Sequence, residues 1–131
     1  HRVPFFVRWP ARVTAGTKSS QLICLTDFMA TCADILGVKL PANSAEDSFS
    51  ILPALLGTDK TPVHESVVHH SINGSFAIRQ GKWKLAICAD SGGWTAPKPG
   101  SKEARKLPAS QLYDLSSDLA ESNNLQARHP E

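Results

Sequence analysis

The apolar and polar positions along the chain first indicate a strand and then a helix. Val3 to Trp9 is a run of apolar, aromatic and β-branched residues that ends at Pro10, which predicts a buried strand. Thr26 to Gly37 has apolar side chains at three- and four-residue spacing, the pattern of an amphipathic helix. Thr26 is its expected N-cap, and Gly37 is the residue at which it ends. Its apolar face consists of Phe28, Met29, Cys32, Ile35 and Leu36.

From Glu65 onward the apolar positions recur at every second residue, which is typical of strands. A strand is predicted over Glu65 to Ile72, and the following Asn73-Gly74 predicts a turn. The other predicted elements are a short helix over Ile51 to Leu56, strands over Ser75 to Arg79, Lys82 to Cys88 and Gln111 to Leu115, and a long loop over Asp90 to Ser110.

A two-residue turn at Gln80-Gly81 is expected to join two of these strands into a hairpin. This turn would pair Arg79 with Lys82 and Ile78 with Trp83. One face of the hairpin then carries Phe76, Ile78, Trp83, Leu85 and Ile87. The other face carries a basic row, Arg79, Lys82 and Lys84, which we expect to be solvated or covered by polar partners.

Together these elements predict an α+β fold, a small antiparallel sheet with a helix. The expected division is residues 1–63 as one part and residues 64–131 as an antiparallel-sheet subdomain. Hydrophobic residues make up 41% and charged residues 20% of the chain, so wholesale disorder is excluded. The net charge of +2 is too small to indicate nucleic acid, and no apolar run is long enough to span a bilayer.

The residues that could carry chemistry are few. Three cysteines are present, and no Cys-x-x-Cys occurs, so a zinc knuckle has no support. Ser91-Gly92-Gly93 does not have the spacing of a serine-hydrolase elbow. His69 and His70 are adjacent on a predicted strand and should point to opposite faces, so they cannot grip one metal ion together.

Five blocks of the sequence, taken in order, cover nearly the whole chain. They are Arg2 to Pro10, Thr26 to Gly37, Asp47 to Gly57, Ala77 to Leu85 and Gln111 to Leu125. Each block alone is weak, but together they resemble the C-terminal region of the type I sulfatases, the arylsulfatase branch of the alkaline-phosphatase-like superfamily. In the third block Ser48 stands where this family usually has Gly, and in the fifth Leu119 replaces a common Pro.

The resemblance implies a parent protein with the α/β alkaline-phosphatase-like sulfatase fold, which hydrolyses sulfate esters with calcium and a formylglycine made from Cys. Residues 1–63 would be the last strand and helices of its catalytic domain, and residues 64–131 its C-terminal subdomain. Cys24, Cys32 and Cys88 do not fit the Cys-x-[Pro/Ala]-x-Arg motif, and the acidic residues are scattered. This chain alone is therefore expected to be inactive, without catalytic residue or metal ligand. Both would lie in a missing N-terminal catalytic portion, and His1 is interpreted as a cut.

In such sulfatases the smaller C-terminal domain helps to wall the substrate cleft. The resemblance therefore makes His69 or His70, Asn73 and Trp94 the candidate contacts for a sulfate-ester substrate, and for a sulfated glycan in particular. The simpler interpretations are a hydrogen-bonded structural histidine, Asn-Gly turn chemistry, and packing of Trp94 against the hairpin.

Two other classes remain open. A free-standing β-rich module could hold sulfated glycans through the basic row and Trp94, with no enzymatic role. A fragment of a related phosphoesterase would share these blocks and differ upstream. The localisation is unknown from the sequence, although the resemblance suggests a periplasmic or secreted parent.

Overall fold

The computed structural model describes residues 3–129, so the interpretation of His1 as a cut lies outside the described part. The chain divides into two compact units between Glu65 and Ser66. The helices are α1 (Phe28–Leu36) and α2 (Leu52–Leu56), and the strands are β1 (Ser66–His70), β2 (Phe76–Gln80), β3 (Trp83–Ala86) and β4 (Gln111–Asp114). Short 3-10 turns lie at Leu25–Asp27, Ala104–Lys106 and Gln126–Arg128. The predicted α+β fold, a small antiparallel sheet with a helix, is confirmed.

The predicted strand over Val3 to Trp9 is wrong for this structure. No strand is assigned to these residues, and most of their side chains are exposed. A strand exists only where a neighbouring backbone completes its hydrogen bonds, and no described residue pairs with this segment. The run ends in a turn in which the Val13 N–H donates to the Trp9 carbonyl at 2.8 Å.

Helix α1 ends as predicted but begins differently. Gly37 has φ 65°, a left-handed conformation that costs glycine little, and the Val38 N–H closes the end on the Ala33 carbonyl at 2.8 Å. Thr26 is not the N-cap, because it lies within the 3-10 turn Leu25–Asp27 that leads into the helix, and its hydroxyl donates to the Asp47 carbonyl. The Asp27 carboxylate accepts the Cys24 N–H at 2.7 Å.

The apolar face of α1 is exposed within the structure. Leu36 is 74% exposed and Met29 53%, whereas the buried positions of the helix are Thr31 and Ala33. The fully buried Ile51 lies just before α2 and donates its N–H to the Thr31 hydroxyl at 3.0 Å. The core of the first unit therefore forms on the polar side of α1 and leaves the apolar side uncovered.

The second unit is a four-stranded antiparallel sheet in the order β1-β2-β3-β4. The predicted hairpin register is wrong by two residues, since Gln80 pairs with Trp83 and Ile78 with Leu85, around a turn at Gly81 and Lys82. An even shift leaves every strand side chain on its predicted face. The face opposite the predicted apolar face holds the most buried side chains of the sheet, Ala77, Lys84 and Tyr113.

Candidate functional site

One end of the sheet gathers several of the predicted site residues. In the antiparallel order, β1 ends at this end, β2 begins there, β3 ends there and β4 begins there. The β1–β2 connection (residues 71–75) and the first part of the β3–β4 connection (residues 90–97) therefore leave the sheet side by side. Loops positioned on a rigid sheet are common places for binding residues.

The β1–β2 connection is braced by Ser71. Its N–H donates to the Ser75 carbonyl at 2.9 Å, and its hydroxyl accepts the N–H groups of Asn73 and Ser75 at 3.3 and 3.2 Å. The Gly74 N–H closes the turn on the Ser71 carbonyl at 3.0 Å. Asn73 is exposed, and its backbone is held by these bonds, so its amide side chain is presented to solvent from a fixed turn.

The two connections touch at Gly92. A Cβ added to Gly92 would lie 2.8 Å from the Ser71 Cβ and 2.9 Å from its hydroxyl oxygen. Gly92 also has φ 64°, and the Asp90 carboxylate accepts its N–H at 2.8 Å. This close approach needs a residue without a side chain, and it places residues 90–97 directly against the β1–β2 turn.

Trp94 lies at the tip of this short loop and is 83% exposed. The loop is closed below it, because the Ser91 N–H donates to the Pro97 carbonyl at 2.9 Å and the Ser91 hydroxyl to the Thr95 carbonyl at 2.8 Å. The alternative interpretation, in which Trp94 packs against the hairpin, is wrong for this structure. An exposed aromatic ring on a well-braced loop is a surface on which a sugar ring can stack.

His70, the last residue of β1, is exposed at the same end of the sheet. Its Nδ1 lies 2.8 Å from the Ser71 carbonyl, so this nitrogen carries the hydrogen and donates. The Phe76 ring meets the imidazole edge to face at 6.2 Å between centroids. The neutral tautomer thus leaves Nε2 as a hydrogen-bond acceptor.

His69 points to the opposite face from His70, as strand alternation predicts. It is half-buried and pairs across the sheet with Ala77. Burial lowers the pKa of His69, and the nearby positive charge of Lys84 lowers it further, against an opposing effect of Glu121. The structure therefore brings His70, Asn73 and Trp94 to one end of the sheet and places His69 apart from them.

The basic row is largely neutralised by acidic partners. Lys84 is only 7% exposed, and its ammonium donates to the Glu121 carboxylate at 2.5 Å. Lys82 lies in the turn and donates to Asp114 at 2.7 Å. This bond, together with hydrogen bonds from Ser116, lowers the pKa of Asp114 to about 2. The expectation of polar partners is correct for Lys84, while the alternative expectation of a solvated face is wrong there.

Glu121 reaches Lys84 through an unusual turn. Its φ is 56°, a left-handed conformation that is rare for a residue other than glycine. The Asp118 carboxylate accepts the N–H groups of Ser122 and Asn123 and so holds this turn. The Lys84–Glu121 pair was not predicted, because no local sequence pattern indicates a partner 37 positions away.

A second buried carboxylate network lies in the first unit. Asp27 is fully buried, and its side chain accepts the Cys24 and Phe49 N–H groups and contacts His64 Nε2 at 2.9 Å. The Phe49 ring covers the imidazole edge to face, with 5.0 Å between centroids. Through these contacts Asp27 joins the chain around Cys24, Phe49 and His64 to the start of α1.

The side chains that the structure describes do not fit a calcium site. Calcium needs six to eight oxygen ligands, and the buried carboxylate of Asp27 is already occupied by two N–H donors and His64. Within residues 3–129 no group of three or more His, Cys, Asp or Glu side chains is placed to hold a metal ion. No helix in this part of the chain has the length and apolar character needed to cross a membrane.

Comparison with known proteins identifies the family. Residues 1–94 match the family model described as N-sulphoglucosamine sulphohydrolase, C-terminal. The chain is 39% identical to an N-acetylgalactosamine-6-O-sulfatase of Bacteroides thetaiotaomicron, over 99% of this chain and 25% of that protein. It is 32% identical to human arylsulfatase A, over 95% of this chain and 26% of that protein.

A solved structure from work on glycosaminoglycan metabolism by Bacteroides thetaiotaomicron superimposes with a TM-score of 0.70. It is 34% identical and covers 94% of this chain and 25% of its own. The chain belongs to the sulfatase family and corresponds to its C-terminal region. It spans about a quarter of the length of the curated relatives that it matches.

Proposed function

We propose that this chain is the substrate-facing C-terminal region of an enzyme that hydrolyses sulfate esters of sugars. The observation that carries the proposal is the contact between Gly92 and Ser71, which sets His70, Asn73 and Trp94 at one end of the sheet. The sulfatase relatives, one named for a sulfated amino sugar, support the reaction class. Nucleophile and calcium would belong to an upstream catalytic portion, because no cysteine here has the required motif and no carboxylate cluster exists among the described residues.

Each exposed residue has a definite role in this proposal. Trp94 offers its ring face to a sugar ring, a contact that is largely independent of ring substituents. The Asn73 amide can both donate to and accept from sugar hydroxyls, and His70 Nε2 can accept from one. We assign His69 a structural role, because it is half-buried on the other face. The chain would thus select and orient the alcohol half of the ester, while the chemistry occurs elsewhere.

The glycan-binding module without enzymatic role loses two cations of its basic row, since Lys82 and Lys84 are both engaged in ion pairs. The phosphoesterase fragment has no observation in its favour, and the two curated relatives described above are named as sulfatases. The sulfatase proposal therefore remains the best supported.

The test is steady-state hydrolysis by the full-length protein, made with a formylglycine-generating enzyme and assayed with calcium. Trp94→Ala should raise KM for a sulfated amino sugar about tenfold, the value of one aromatic stacking contact. KM for a small chromogenic sulfate ester should change much less, because such an ester has no sugar ring to stack on Trp94.

The matched control is Leu119→Ala, which removes another exposed apolar side chain, 61% exposed, away from this end of the sheet. It should leave both KM values unchanged. Equal loss on both substrates in Trp94→Ala would remove Trp94 from the site. Absence of any sulfate-ester hydrolysis by the wild-type protein would refute the proposed function itself.

A further inference from the structure

The positive charge of this chain is concentrated in one short stretch of the β3–β4 connection. Residues 98–106, hereafter the basic segment, contain four basic side chains and one acidic side chain. The whole chain has 14 basic and 12 acidic side chains, so the remainder has 10 basic and 11 acidic. Without this segment the net charge would be −1 instead of +2. Its basic residues are Lys98, Lys102, Arg105 and Lys106.

The basic segment is folded into consecutive turns. The Ser101 N–H donates to the Lys98 carbonyl at 3.1 Å, and the Ser101 hydroxyl accepts the Ala104 N–H at 3.1 Å. Ala104 is buried and anchors the segment. The following N–H groups continue the turns, with Lys106 donating to the Glu103 carbonyl at 3.1 Å.

This backbone fixes where the charges lie. Residues three apart in such turns lie on the same side, so Lys102 and Arg105 are neighbours on one side. Glu103 and Lys106 share another side and can compensate each other. Two like charges side by side are unfavourable alone, and an anion between them removes that repulsion.

These cations are available, unlike Lys82 and Lys84 of the basic row. All four side chains are exposed, and none forms an ion pair within residues 3–129. They follow directly on the short loop that presents Trp94, since Pro97 both closes that loop and precedes Lys98. One connection therefore offers an aromatic ring and then a row of unpaired cations.

We infer that the basic segment is a binding site for an anionic polysaccharide, engaging sulfate or carboxylate groups on sugars beyond the one that is hydrolysed. The inference rests on the proposed function for the choice of a sulfated glycan among polyanions. A single sulfated sugar is too small to gain from it. An extended chain stacked at Trp94 would place its next charged groups over Lys98, Lys102 and Arg105.

The experiment measures the affinity of the full-length protein for a size-defined chondroitin sulfate oligosaccharide over a series of salt concentrations. The triple variant Lys98→Ala, Lys102→Ala, Arg105→Ala should bind about tenfold more weakly, the combined effect of three exposed ion pairs. The dependence of log affinity on log salt should also become shallower, because fewer counterions are released. Affinity for a sulfated monosaccharide should not change.

A charge-matched control is the triple variant Lys18→Ala, Lys39→Ala, Lys60→Ala, whose side chains are exposed and without ion pairs in the described structure. It should retain wild-type affinity and salt dependence. Equal weakening in both triple variants would overturn the inference, since net charge alone would then explain binding. Unchanged binding in the first triple variant would overturn it as well.

Two further results separate this inference from the proposed function. Tight binding of the oligosaccharide by a protein that hydrolyses no sulfate ester would refute the proposed function and leave the basic segment as a glycan site. Binding of a single-stranded nucleic acid as tightly as the oligosaccharide at physiological salt would refute a sugar-specific site and indicate a general polyanion surface.

Discussion

Among single residues, Gly92 sets whether the two loops at the end of the sheet can touch. It combines a left-handed backbone with an approach to Ser71 that leaves no space for a side chain. Gly100 has a left-handed backbone, φ 74°, but open space around it. A Cβ added to Gly93 would lie 3.6 Å from the Ile72 Cγ2, an ordinary van der Waals distance. Alanine substitutions at these three glycines can therefore distinguish the cost of backbone strain from the cost of steric overlap.

We expect Gly92→Ala to lower the free energy of unfolding by about 2–4 kcal/mol, from left-handed strain together with overpacking. Gly100→Ala should cost about 1–2 kcal/mol, from strain alone. Gly93→Ala should change it by less than about 0.5 kcal/mol. Urea unfolding of the full-length protein gives all three values. Equal costs for Gly92→Ala and Gly100→Ala would show that the contact with Ser71 gives way without cost.

His69 makes stability depend on pH near neutrality. Burial holds its pKa below the ordinary 6.5, so the unfolded chain binds its proton more readily than the folded chain. The stability that depends on neutral His69 is therefore fully present above pH 6.5 and is lost as the pH falls below that value. In His69→Gln, unfolding measured from pH 8 to pH 5 should show a smaller fall in stability than the wild type. A fall identical to that of the wild type would assign the dependence to other histidines.

Among elements, two ion pairs of unequal burial join the β2–β3 hairpin to β4 and to the turn that follows β4. Lys84 is buried against Glu121, whereas the side chain of Lys82 is 52% exposed beside Asp114. When its acidic partner is removed, a buried cation cannot be solvated by water, whereas an exposed cation can. Loss of the Lys84–Glu121 pair should therefore lower the stability more than loss of the Lys82–Asp114 pair.

Glu121→Ala should lower the free energy of unfolding by about 2–4 kcal/mol, since it strands the buried ammonium of Lys84. Lys82→Ala should cost less than about 1 kcal/mol. Both values come from thermal unfolding of the full-length protein. Lys84→Met with Glu121→Ala should recover much of the loss, because no buried charge then remains. No recovery would mean that Glu121 acts through its backbone turn instead.

Elements were predictable from the sequence where the signal is local. The end of α1 at Gly37 and the faces of β2 and β3 follow from a glycine and from strand alternation. The hairpin register was missed because turns at residues 80–81 and 81–82 place the same side chains on the same faces, so patterning cannot distinguish them. The strand over Val3 to Trp9 needs a partner backbone, which is not a property of the segment itself.

For the chain as a whole, the two units differ in how far they bury their own apolar surface. In the second unit, Ala77, Ala104, Tyr113 and Leu115 are buried. In the first, Phe6 is 90% and Leu36 is 74% exposed. The apolar face of α1 forms part of the apolar surface that the first unit leaves exposed.

The candidate residues of the site could be selected from the sequence, but their arrangement in space could not be predicted. Asn73 and Trp94 could be selected from a turn signal and a glycine-rich loop. Their placement at the same end of the sheet depends on the Gly92–Ser71 contact, which no local pattern encodes. The basic row was predictable because strand alternation places its side chains on one face of the hairpin. Its neutralisation by Glu121 and Asp114 depends on residues 37 and 32 positions away in sequence.

The β3–β4 connection also bears on how such proteins diversify. Both of its ends are fixed, at β3 and at β4, while the stretch between them carries the exposed ring and the unpaired cations. Because the entropy of closing a loop grows only slowly with its length, residues can be inserted or exchanged there at little cost to folding. A lineage could therefore acquire a new sugar preference by rewriting this one stretch, with the strands and any upstream chemistry inherited intact.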